Sequence, residues 1–119
     1  MSASDWWNLS RGVNVIMGVA TIPVGALILG AAGDPGNAMP LALHALCTAT
    51  FVAGWFALND LMDIDADRVN HPERPLPSGN ISETAVRNFG IVMMILSALA
   101  LVGIVLHAER NLEDRTWLD

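Results

Sequence analysis

Three long apolar runs constrain this chain more than any other feature of its sequence. They cover about residues 12–32, 41–58 and 89–106, and none of them contains Asp, Glu, Arg or Lys. A helix needs about 20 apolar residues to cross the hydrocarbon core of a bilayer. Backbone polar groups inside a bilayer must bond to one another, which a helix achieves within a single segment. The runs therefore predict an all-α transmembrane protein.

The predicted organisation is a single membrane domain over residues 1–119. We expect three spans, over about 12–32, 41–63 and 83–106, with an acidic loop over about 64–82. Hydrophobic residues make up 53% of the chain, Lys is absent and the formal net charge is −6. This acidic balance argues against a nucleic-acid partner, which would require a basic face.

A charged stretch, NDLMDIDADRVNHPERPLPSG over residues 59–79, separates the second run from the third. On a helix, Asn59, Asp63 and Asp67 follow an i, i+4, i+8 spacing and form one stripe about 12 Å long. Asp60 lies on the same face outside the stripe, whereas Asp65 points to the opposite side. Like charges at i, i+4 repel each other. The stripe becomes reasonable if its oxygens hold a hard cation such as Mg²⁺.

The acidic stretch has two other interpretations. Asp63, Asp65 and Asp67 begin like a calcium-binding EF-hand loop, but that loop requires Gly at its sixth position and Glu at its twelfth. Arg68 and Arg74 occupy those positions here. The second alternative is a solvated acidic turn between two helices.

The longer pattern resembles a known family. Asn59-x-x-x-Asp63-x-x-x-Asp67, followed by Asn70-x-Pro72-x-Arg74-Pro75-Leu76-Pro77-Ser78-Gly79, resembles the first aspartate-rich motif of the UbiA family of intramembrane prenyltransferases. Its close spacing is similar to that of the archaeal geranylgeranylglyceryl-phosphate geranylgeranyltransferases and the chlorophyll synthases. It is less similar to the 4-hydroxybenzoate branch.

The resemblance implies a set of site residues. Asp63 and Asp67 would be catalytic, and together with Asn59 they would hold Mg²⁺. Arg11-Gly12-Val13-Asn14 is similar to the R-P-x-N of the archaeal branch, with Gly12 in place of Pro, although Arg11 could instead be an interface residue whose side chain reaches toward the headgroups. The substrate-binding residues implied are Arg11, Asn14, Asp60, Arg68 and Arg74.

The resemblance also implies a reaction. A prenyl diphosphate would ionise at the Mg²⁺ site, and a lipid or aromatic acceptor would take up the prenyl group, as in membrane ether-lipid biosynthesis. Acceptors of the chlorophyll-synthase or quinone type are the alternative. Family members have about nine helices and a second aspartate-rich motif, so these spans correspond to the first third of the bundle. The chain alone is therefore expected to be inactive, as a fragment, a truncated non-catalytic protein, or one part of an enzyme whose second chain carries the distal half.

The arginines near the spans predict the orientation. Arg11, Arg68, Arg74 and Arg87 lie on one side, against Arg110 and Arg115 on the other. Cytoplasmic flanks carry the excess of basic residues. We expect a multi-pass protein of the cell membrane with its acidic loop in the cytoplasm and Trp117 at the opposite interface.

Overall fold

The computed structural model describes residues 1–114, which contain five α-helices and no strand. They are α1 (Ala3–Leu9), α2 (Gly12–Ile28), α3 (Ala38–Met62), α4 (Ile64–Asn70) and α5 (Glu83–Glu113), with a 3₁₀ turn at Pro35–Asn37 before α3. The predicted all-α class is confirmed. Arg115 and Trp117 lie outside the described residues.

Two of these helices are long and apolar enough to cross a membrane. They are the segment Pro35–Met62, which contains α3, and α5. The pair α1 and α2 forms a third candidate, bent by 61° between the two helices. The predicted transmembrane helical architecture is therefore confirmed, with the bend in the first span as a feature that the apolar pattern did not indicate.

The first span ends earlier than the predicted residue 32, because α2 closes with a Schellman motif. Gly30 adopts φ 69°, a left-handed conformation that glycine reaches without steric cost. The amide of Ala31 donates to the carbonyl of Ala26 at 2.8 Å, and the amide of Gly30 donates to Leu27 at 3.2 Å. These two bonds satisfy carbonyls at the helix end.

The acidic loop predicted over about 64–82 is wrong for its first seven residues, which form α4. The prolines that exclude helix begin only at Pro72. Asp65 and Asp67 lie in the first turn of α4 and Arg68 in its last, an arrangement that the helix dipole favours at both ends. Likewise, α5 continues beyond the predicted end at residue 106 and ends at Glu113.

The helices α3 and α5 pack closely at two glycines. A Cβ atom at Gly54 would lie 2.9 Å from Cβ of Met93 and 3.1 Å from the carbonyl oxygen of Gly90. Farther along the same interface, the Ser97 hydroxyl donates to the carbonyl of Cys47 at 3.3 Å. Small residues and side-chain hydrogen bonds of this kind hold helices together in membranes, where lipid and side chain are equally apolar.

We expect Gly54→Ala to lower the stability of the chain in detergent by roughly 1–3 kcal/mol, because the new methyl group meets backbone and Cβ atoms that cannot rotate away. The matched control is Gly25→Ala in α2, where an added Cβ atom meets nothing within 4 Å. That change should be neutral or slightly stabilising, since Ala favours helix. Thermal unfolding followed by circular dichroism measures both, and equal midpoints would contradict the close approach.

A small apolar core fixes the polar end of the bundle. Its buried members come from α1, α3, the loop and α5: Leu9, Ala57, Leu76, Ile81 and Val86. Trp6 and Phe89 pack against it, with ring centroids 5.1 Å apart. This core holds the α1–α2 junction and the proline-rich loop over the end of α3, where the charged side chains meet.

Candidate functional site

The α1–α2 junction places an arginine against α3. Arg11 adopts φ 53° and ψ 53°, and it is the only non-glycine residue with positive φ among residues 1–114. This left-handed conformation costs energy for a side chain with Cβ and is often found at functional sites. Arg11 Nη2 lies 3.3 Å from Oδ1 of Asp60, and the guanidinium lies over the Phe56 ring at 5.6 Å from its centroid.

The side chains of Asp60 and Arg11 differ in solvent exposure. The Asp60 side chain is 8% exposed and that of Arg11 is 33% exposed. Arg11 Nε is buried and has no hydrogen-bond partner in the described structure. Buried donors are rarely left unsatisfied in proteins. The exposed third of the Arg11 side chain, rather than this enclosed nitrogen, is the part that a ligand can reach.

Gly12 allows the tight junction that presents Arg11. A Cβ atom at Gly12 would overlap the indole ring of Trp7, so the ring packs directly on the backbone of residue 12. Trp7 thereby forms a wall of the cavity next to Arg11. Residue 12 is Gly where the archaeal pattern has Pro, and its lack of a side chain lets the Trp7 ring contact the backbone.

The proline-rich loop contributes a second arginine. Arg74 Nη1 lies 2.9 Å from Oδ2 of Asp67, whose side chain is 10% exposed. Asp67 belongs to α4, so this ion pair connects the loop back to the acidic stretch. The pairing neutralises a carboxylate that would otherwise be buried at high cost.

These elements enclose a cavity of about 430 Å³, within the range typical of ligand sites. It brings together four of the predicted substrate-binding residues: Arg11, Asn14, Asp60 and Arg74. The other lining residues are Trp7, Asn8, Gly12, Val13, Glu73 and Pro75. Two arginines from different parts of the chain thus line one space.

The Asn59–Asp63–Asp67 stripe keeps its helical spacing across a helix break. Asp63 is the C-cap of α3 and the N-cap of α4. Its amide donates to the carbonyl of Asn59 at 3.0 Å, and the amide of Asp67 donates to the carbonyl of Asp63 at 2.9 Å. The Asn59 amide group also donates to Oδ2 of Asp63 at 3.3 Å.

The oxygen donors of the stripe suit Mg²⁺ by chemical type, since carboxylates and amide carbonyls are its preferred protein ligands. Within residues 1–114, however, no three acidic, His or Cys side chains are grouped so that they could hold one metal ion. Asp63 is exposed, while Asp67 is buried and paired with Arg74. The donor set therefore fits the ion in type, with one carboxylate already neutralised by a cation.

Arg68 lies outside the cavity. Its guanidinium bonds Asp65 at 2.8 Å and Glu83 at 3.2 Å. Its partner Asp65 is 91% exposed. Asp65 and the three stripe residues, Asn59, Asp63 and Asp67, are all absent from the cavity lining. The Arg68 pairs tie α4 to the start of α5 on the outer surface.

Trp7, Asn8 and Glu73 also line the cavity and are not among the predicted site residues. Adjacent tryptophans before an apolar run are typical of membrane-interface anchors, so the sequence does not indicate a cavity position for Trp7. Glu73 lies within the motif beside Arg74, and the resemblance implies no role for it. The placement of Asn8 depends on the bend between α1 and α2, for which the sequence offered no signal.

Comparisons with known proteins agree on one family. The model of the UbiA prenyltransferase family matches residues 19–108. The digeranylgeranylglyceryl phosphate synthase of Methanopyrus kandleri is 38% identical over 84 residues, which cover 70% of this chain and 29% of that protein. The synthase of the same name from Sulfurisphaera tokodaii is 33% identical over 114 residues, covering 94% and 37%.

A third relative matches a similar share of the chain. The digeranylgeranylglyceryl phosphate synthase of Halobacterium salinarum is 33% identical over 90 residues, covering 76% of this chain and 32% of that protein. The chain thus spans about a third of the length of these curated relatives. No solved structure matches the chain significantly.

Proposed function

The chain belongs to the UbiA prenyltransferase family, and we propose that it supplies the diphosphate-binding end of a Mg²⁺-dependent enzyme that transfers a prenyl group to a lipid acceptor. The similar proteins are named as digeranylgeranylglyceryl phosphate synthases. We therefore assign the reaction to ether-lipid biosynthesis, with the acidic stretch on the cytoplasmic side of the cell membrane. An acceptor of the chlorophyll-synthase or quinone type is the runner-up.

One observation carries the proposal: Arg11 and Arg74 face the same cavity although they come from distant parts of the chain. Arginine presents a planar fork of donors that matches phosphate oxygens. The Arg11 side chain is 33% exposed at this cavity, so an anionic ligand can reach it. Asn14 adds a neutral donor at the same wall.

The residues of the chain divide the work as follows. Arg11 and Arg74 bind the diphosphate and stabilise the negative charge that grows on it as the allylic carbon–oxygen bond breaks. Asp60 holds the Arg11 guanidinium in place, and the apolar helices keep water from the reacting carbon. Asn59, Asp63 and Asp67 would hold Mg²⁺, which supplies further neutralisation of the leaving group.

We assign Arg68 no role in this reaction, because Arg68 itself does not line the cavity and its guanidinium is bonded to Asp65 and Glu83. The distal part of a family member would complete the active site with the second aspartate-rich motif. A second chain that provides this part is the partner we propose, and a truncated non-catalytic protein is the competing hypothesis.

The test is a reconstitution in lipid nanodiscs. The chain is combined with the part of the Halobacterium salinarum synthase that lies beyond the matched segment, and assayed with geranylgeranyl diphosphate, geranylgeranylglyceryl phosphate and Mg²⁺. We expect turnover from the combination, and none from either component alone or after chelation of Mg²⁺. Turnover by this chain alone would show that the distal part is dispensable, and no turnover in any combination would favour the non-catalytic alternative.

A further inference from the structure

We propose that Arg74 is a built-in competitor of the metal ion: it occupies Asp67 while the site is free of substrate and releases this carboxylate only when a diphosphate takes over its guanidinium. The inference rests on the proposed function, since it assumes that the cavity receives a diphosphate. It assigns to Arg74 a second role, as a positioning residue that makes metal binding depend on the substrate.

The ion pair itself is the first observation. Arg74 Nη1 and Asp67 Oδ2 are 2.9 Å apart, and the Asp67 side chain is 10% exposed. Arginine stays protonated in proteins, so the Asp67 carboxylate always has a positively charged group beside it. A divalent ion approaching Asp67 would meet that positive charge at short range and in a partly desolvated place, where repulsion is strong.

The position of Arg74 provides the route of release. Its side chain is 30% exposed and lines the 430 Å³ cavity, whereas Asp67 is absent from the cavity lining. Arg74 therefore contacts the carboxylate and also borders the space that the diphosphate would occupy. Phosphate oxygens bind guanidinium with the same fork geometry as a carboxylate, so a bound diphosphate gives Arg74 an alternative partner.

The composition of the stripe agrees with this exchange. It contains only two carboxylates, of which Asp63 is exposed and Asp67 is paired with Arg74. Mg²⁺ gives up its water reluctantly and is usually held by one or two carboxylates together with substrate phosphates. Metal and diphosphate should therefore bind with positive coupling, and each should raise the affinity of the other by the same factor.

The experiment measures Mn²⁺ binding to the full chain in nanodiscs by electron paramagnetic resonance, with and without inorganic diphosphate. Without diphosphate, Arg74→Gln should raise the affinity for Mn²⁺ by about tenfold, since a nearby cation is removed from Asp67. The matched control is Arg68→Gln, which frees the exposed Asp65 on the outer surface and should leave the affinity unchanged. Adding Asp67→Asn to Arg74→Gln should abolish the gain.

A second variant covers the case in which Arg74→Gln fails to fold. In the wild-type background, Asp67→Asn should leave Mn²⁺ affinity unchanged without diphosphate and should lower it when diphosphate is present. The proposal is overturned if Arg74→Gln folds and binds Mn²⁺ no more tightly than wild type, or if Asp67→Asn weakens metal binding equally in both conditions.

The outcome is separable from that of the proposed function. The metal-only comparison of wild type with Arg74→Gln requires neither a prenyl substrate nor the distal half of the enzyme. If the transfer assay fails while Arg74→Gln binds Mn²⁺ more tightly, the proposed enzymatic function is contradicted and the proposed competition between Arg74 and the metal is supported. If transfer succeeds while Arg74→Gln binds Mn²⁺ no more tightly, the competition is contradicted and the enzymatic function is supported.

Discussion

In the complete enzyme, Asp63→Ala and Asp67→Ala are each expected to lower the turnover of prenyl transfer by about a hundredfold or more, the scale of removing one charge-stabilising group from a transition state. Each substitution removes a carboxylate from the stripe that would hold the metal against the leaving group. Asp67→Ala also leaves Arg74 without its 2.9 Å partner. The measurement is turnover at saturating Mg²⁺, with the amount of each variant in the membrane checked by blotting.

The control is Asp65→Ala, in the same acidic stretch. The Asp65 side chain is 91% exposed and pairs with Arg68, an exposed contact of the kind that contributes at most about 1 kcal/mol. Its activity should stay near that of wild type. Asn59→Ala should be intermediate, because a neutral amide contributes less to a cation than a carboxylate. Equal losses for Asp65→Ala and Asp63→Ala would favour a loop-type metal site with alternate residues over the helical stripe.

Arg11→Gln is expected to destabilise the chain by roughly 3 kcal/mol, the lower end of the range for breaking a buried ion pair. The change leaves Asp60, which is 8% exposed, without its cationic partner. The Arg11 side chain is itself partly exposed, which is why we expect the lower end of the range. Thermal unfolding in detergent measures the loss.

A double-mutant cycle isolates the contact. Asp60→Asn together with Arg11→Gln should recover most of the stability that Arg11→Gln loses, because the uncompensated carboxylate is then absent. The same cycle on Arg68 and Asp65, an exposed pair, serves as the comparison and should show little coupling. Additive losses at Arg11 and Asp60 would mean that the two side chains do not stabilise each other.

Local pattern was enough to predict the helices that cross the membrane. The apolar runs cover most of α2, α3 and α5, since the length of an apolar segment and its need to satisfy its own backbone are properties of that segment alone. The spacing of Asn59, Asp63 and Asp67 survived the break at Asp63, because backbone hydrogen bonds still join residues four apart.

The hydropathy pattern predicted the ends of the helices less well. The early end of α2 depends on the conformation of Gly30, and α4 forms because the prolines begin only after its last residue. Both effects depend on single residues in the local sequence. A hydropathy window wide enough to identify a membrane span averages over such residues, so it does not locate the helix ends.

By itself, the sequence determined the helical membrane class, the family motif and the set of charged residues available to the site. The tertiary structure alone decided which of them meet. Arg11 reaches Asp60 across 49 positions of the chain because Arg11 takes a left-handed conformation at a bend that the small apolar core holds over α3. Arg74 faces the cavity and Arg68 does not, although both follow the same stripe. The physical reason is that contacts between distant residues depend on packing across the whole bundle, and no local periodicity reports it.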